Sequence, residues 1–142
     1  MKTTNTTGGT LDNRSVEELH INSVHWLTEL DFMKNEIQFF KKLLIFGHFE
    51  YATPDILETV QLFLSEIDTI YKENEDHIDL LKQHENQLKG MLECEDLACD
   101  QIYLEEHDRV IDLISKHMGK FKILKGAIFE HADGILEVNG NK

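Results

Sequence analysis

Three long stretches of this chain set apolar residues at alternating four- and three-residue steps, and only one proline stands in its 142 residues. A repeat of that spacing marks a helix face that has to be buried. The first stripe is Trp26, Leu30, Met33, Ile37, Phe40 and Leu44. The second runs Ile56, Val60, Phe63, Ile67, Ile70, Asn74, His77, Leu81, His84, Leu88. The third runs Tyr103, His107, Val110, Ile114, His117, Phe121, Leu124, Ile128, His131, Ile135. Punctuation falls where helices would begin and end. Ser15 with Glu18 forms a capping box ahead of the first stripe, and Gly47 stops it. Thr53-Pro54 supplies a cap and a first-turn proline for the second, which meets no breaker before Gly90 and reaches about Cys94.

The spacing predicts an all-α fold, an up-down-up bundle of three long helices of about 33 to 42 residues packed nearly parallel. Residues 1–13, rich in Thr, Asn and Gly, read as a disordered tail, and residues 14–138 as a single helical-bundle domain. Such a bundle leaves apolar flank at Leu57, Leu64, Tyr71 and Ile78 that a homodimer would cover.

Charge narrows the partners. The chain holds 27 acidic and 14 basic residues, a net charge of -13 with histidine neutral. That surface repels phosphates and anionic lipid, which argues against nucleic-acid binding. No apolar run approaches the roughly 20 residues of a membrane span, and the first residues lack the apolar core of a secretory signal, so a cytoplasmic location is expected. In that compartment Cys94 and Cys99 are expected to be reduced.

The stripes carry polar residues where a core is expected. Five of the eight histidines, His77, His84, His107, His117 and His131, lie on them, and His25 stands beside the first with Glu29 one turn on. Imidazoles and carboxylates cost free energy when buried alone, and in a helical bundle their convergence points to a metal site. Counting back from the turns puts His25, Glu29, Asn74, His77 and His117 at one height. His84 and His107 share a second height, with His20 or Glu17 in reach from the first helix. His77 and His84 stand about 10.5 Å apart along a helix and cannot share one ion. The expected metal ligands are therefore His25, Glu29, His77 and His117, a mixed N/O set for Fe, Zn or Mn, with His84 and His107 as an auxiliary site. The other reading makes the chain a non-enzymatic acidic interaction protein or dimer, with core histidines that set packing or respond to pH. On that reading Glu29 and Glu36 pair with Lys120, Lys122 or Lys125. No phosphate loop, nucleophile elbow or Ser/His/Asp arrangement occurs.

In order, the chain offers His25-x-x-x-Glu29, then His77 and His84, then His107-x-x-x-x-Asp112. This resembles the hemerythrin pattern, in which H-x-x-x-E, H-x-x-x-H and H-x-x-x-x-D on four helices hold two irons. The resemblance implies a helical-bundle metal protein with O₂-related chemistry or sensing. Here the middle pair is spaced by seven instead of four, and three helices are expected. The stretch from His25 to Ile37 is also similar to the opening of small uncharacterised bacterial helical proteins, a likeness that implies no activity.

Overall fold

Each predicted stripe closes into one helix, and the expected capping residues Ser15 and Thr53 immediately precede two of them, while Gly47 lies outside the described residues. A computed structural model describes residues 10–11, 14–46, 53–93 and 97–140. A two-residue antiparallel ladder, β1 (Thr10–Leu11) with β2 (Arg14–Ser15), precedes α1 (Val16–Phe46). Then come α2 (Pro54–Glu93) and α3 (Leu97–Gly140). α1 begins immediately after Ser15, as a capping box requires. Thr53 caps α2 from both its side chain and its carbonyl: Ile56 N–H donates to Thr53 Oγ1 at 3.2 Å, and Leu57 N–H to the Thr53 carbonyl at 3.0 Å. No helix of the described residues is long and apolar enough to cross a membrane.

The helices cluster into two compact units. The first comprises residues 1–31 and 75–115, so it joins the start of α1, the end of α2 and the start of α3. The second comprises residues 32–74 and 116–142, from the remainder of the same helices. Both are three-helix bundles. In the second, Met33, Ile37, Phe40 and Leu44 of α1 meet Val60, Ile67 and Ile70 of α2 and Phe121, Leu124 and Ile128 of α3. The Phe40 ring stands edge-on to Phe121 and Phe129, at 6.1 and 5.3 Å between centroids. Lys41 pairs with Asp68 at 2.9 Å and Lys125 with Glu36 at 3.1 Å, tying α1 to its neighbours on either side. The Lys125 link is one of the flank pairings the sequence suggested.

The first unit is built differently. Leu19, Leu88 and Tyr103 form its apolar cluster, and Leu30, Leu81, Val110 and Ile114 are buried. Interleaved with them are the buried polar side chains Ser23, His84 and His107. Two expectations change. Leu64 and Tyr71 do not stay as bare flank but pack against the core of the second unit, and only Leu57 of the second unit's expected flank is exposed. The thiols expected to be reduced are not both free: Cys99, in the first turn of α3, is disulfide-bonded, and Cys94 lies outside the described residues.

Candidate functional site

The stripe of α1 runs two steps further toward its N-terminus than Trp26, through Asn22 to the buried Leu19, so a carboxamide enters the wall of the first unit. His84 and His107, placed level by counting from the turn, face each other across α2 and α3. His84 Nε2 and His107 Nδ1 are 2.8 Å apart, and His107 Nε2 lies 2.9 Å from Asn22 Oδ1. The carboxamide oxygen can only accept, so His107 Nε2–H donates to it. A neutral His107 then offers Nδ1 as acceptor, and His84 Nε2–H donates to that atom. One direction of donation runs through the chain from α2 to α3 to α1, and its far end is His84 Nδ1. That atom is a buried lone pair with no hydrogen-bond partner.

Packing holds the pair in this geometry. The Tyr103 ring lies flat on His84, 4.4 Å between centroids and 9° from parallel. His84 is 2% exposed and His107 1%. Burial pushes the His84 pKa below its ordinary 6.5. The carboxylates of Glu106 and Glu85 pull against that shift, and Arg109 adds to it. Glu106 is held on Arg109, whose hydrogen bond keeps its carboxyl below the usual range. Glu85 accepts from His20 of α1. Burial, reinforced by Glu85, pushes the Tyr103 phenol well above its usual value. The Tyr103 hydroxyl and Glu85 Oε1 are likewise buried without hydrogen-bond partners. An open cleft of about 600 Å³ borders the Asn22 end, walled by Glu18, Trp26, Asp108 and Asp112 with Asn22 and His107 themselves.

The second unit repeats the device once. His117 of α3, 3% exposed, donates from Nε2 to Asn74 Oδ1 of α2 at 3.0 Å. Its Nδ1 stands 3.9 Å from Glu73 Oε1, and that carboxylate also receives Lys120 Nζ at 2.9 Å. His131 sets its ring edge-on to Phe63 at 5.6 Å, a packing role.

His25 is exposed on α1 with its ring edge-on to Trp26. Glu29 and His77 are partly buried in the first unit, whereas Asn74 and His117 belong to the second. Among the described residues, no three His, Cys, Asp or Glu side chains come together as a metal-holding group. The imidazole chain itself is a poor ligand set. A metal-bound histidine must present a bare nitrogen. Both nitrogens of His107 are engaged, and His84 has only Nδ1. Sequence reasoning found both histidines of the pair and their common height, and it missed Asn22. Continuing the four-three count back from Trp26 would have reached it. No protein-family model, curated protein or solved structure matches the chain.

Proposed function

We propose that this protein is a non-enzymatic helical interaction protein whose first unit keeps its form only while the His84–His107 pair holds a single shared proton. What supports this is the 2.8 Å contact between two buried imidazole nitrogens. One hydrogen fits in that contact. If both rings were charged, each nitrogen would carry a hydrogen and the bond would become a clash. Charging His84 alone gives Nδ1 a hydrogen that has no acceptor in its present surroundings. Acid therefore works against the packed arrangement through geometry as well as through burial. Catalysis by the pair is disfavoured on the same grounds, because the only spare nitrogen faces buried protein and a general base must reach its substrate.

The test is an NMR titration between pH 8 and pH 5 that follows histidine rings and core methyl groups. The expected result is loss or broadening of the Leu88 and Val110 methyl signals below pH 6.5, while those of Ile67 and Ile128 persist. Ring signals of His84 that titrate at the ordinary histidine value, with those methyls undisturbed, would overturn the reading.

A further inference from the structure

We infer that the outer face of α1 between Phe32 and Phe46 is where two copies of this chain associate, antiparallel about a two-fold axis at Phe39. The inference goes beyond the histidine reading, because the face it concerns lies in the second unit and involves none of the histidines. α1 carries two apolar stripes, and the core takes only one of them. Phe32, Phe39 and Phe46, one heptad apart, form the other and are 61%, 60% and 80% exposed. The outward face of a bundle helix is ordinarily polar. Phe129 of α3 extends the patch, 53% exposed with its ring against Phe40 at 5.3 Å.

Area and charge select a second copy as the occupant. At about 200 Å² per phenylalanine, these four rings leave about 500 Å² of aromatic surface in water, near the upper range for a monomer's largest patch. Two such faces together remove about 1,000 Å², the size at which specific interfaces begin. Of the 27 acidic and 14 basic residues, the second unit holds ten and nine, leaving the first unit seventeen and five. The first unit thus carries a charge of -12 and the second -1. Two copies of a chain this acidic repel through most of their surface, and the near-neutral unit that bears the phenylalanines is where they can meet. A two-fold at Phe39 sets Phe32 against Phe46 of the partner subunit, so every ring of the stripe is covered. The same register brings Lys42 level with Glu36 of the partner subunit. The interface is isologous and closes at a dimer.

Analytical ultracentrifugation of the full chain at pH 8, outside the acid range of the histidine titration, tests this independently of the acid response. The wild type is expected to be a dimer at about 100 μM. Phe39→Asp alters the axis position in both copies and is expected to raise the dissociation constant at least about 30-fold with unchanged far-UV circular dichroism. Ile123→Asp, at an exposed apolar residue away from the stripe, is expected to leave the dimer intact. Should Phe39→Asp lose helicity, Phe39→Ser takes its place. A benzoylphenylalanine photo-crosslinker in place of Phe46 is expected to join the tryptic segment containing Phe32. A monomeric wild type would mean another partner or the chain's own termini cover this face, and would overturn the inference. A dimer that survives Phe39→Asp, or a crosslink from position 46 to the Phe46 segment, would also overturn it.

Discussion

Replacing His84 by glutamine removes a buried group of the first unit whose pKa is shifted down by its surroundings, yet keeps a donor for His107. The glutamine carboxamide N–H₂ reaches for His107 Nδ1 as the imidazole Nε2–H does, and it does not titrate. The sign of the pH effect follows from linkage. Burial lowers the folded-state pKa of His84 below 6.5. Between the lowered value and 6.5 the unfolded chain therefore binds more protons than the folded one, and stability rises with pH. The wild type should have its full stability above pH 6.5 and lose it as pH falls, at about 1.4 kcal/mol for each pH unit until the folded group itself charges. For a chain of this size that corresponds to roughly 3 to 6 °C in Tm per pH unit. His84→Gln should be less stable at pH 8 by about 1 kcal/mol through imperfect packing against Tyr103, but its slope below pH 6.5 should be flatter by the same 1.4 kcal/mol per unit. Urea denaturation followed at 222 nm, at half-unit steps from pH 8 to pH 5, measures both slopes. Equal slopes in the two proteins would refute the reasoning, since exposed histidines would then account for the whole dependence.

Other expectations follow from the same contacts. Tyr103→Phe keeps the ring stacked on His84 and removes a buried hydroxyl that has no partner, so thermal melting should show a change of less than about 1 kcal/mol or a gain. A loss of more than about 2 kcal/mol would mean the hydroxyl is bonded in solution. Asn74→Leu strips His117 Nε2–H of its acceptor and should cost about 1 to 3 kcal/mol in urea denaturation, whereas an unchanged midpoint would show that the bond does not form. Ile67→Ala empties a site that is 0% exposed in the second unit's core and should cost about 2 to 5 kcal/mol by the same measurement. Excess chelator should leave the melting curve of untagged protein unmoved, because His84, His107 and His117 spend ring nitrogens on one another and on carboxamides and, among the described residues, no three His, Cys, Asp or Glu side chains come together. A fall in Tm on chelation, restored by Zn²⁺ or Fe²⁺, would return the metal reading to first place.

That His84 and His107 share a height was legible in the sequence, and what they do there was not. His84 and His107 could be placed level because a helix advances a fixed distance per residue and a short turn fixes the starting point. That arithmetic is good to about one turn. It set Asn74, His77 and His117 at one height, and the structure joins His117 to Asn74. A hydrogen bond tolerates a few tenths of an ångström, far finer than a turn, and the large apolar side chains around it settle the offset. That His107 bonds Asn22 and that Tyr103 stacks on His84 could be stated only once three helices stood around one point.

The chain alone determined its helices and their buried faces. A four-three repeat of Leu, Ile, Val, Phe and Met leaves no other way to remove that surface from water, and Ser15 and Thr53-Pro54 fix where two helices start. Tertiary packing decided the rest: a donor chain from His84 to Asn22 in place of a gathered ligand set, a disulfide at Cys99, and a row of phenylalanines on α1 left outside. The physical reason is one of range. Periodicity is a property of each helix by itself, whereas a bond between side chains depends on how three helices rotate and slide to fill a common core, and only the folded molecule contains that information.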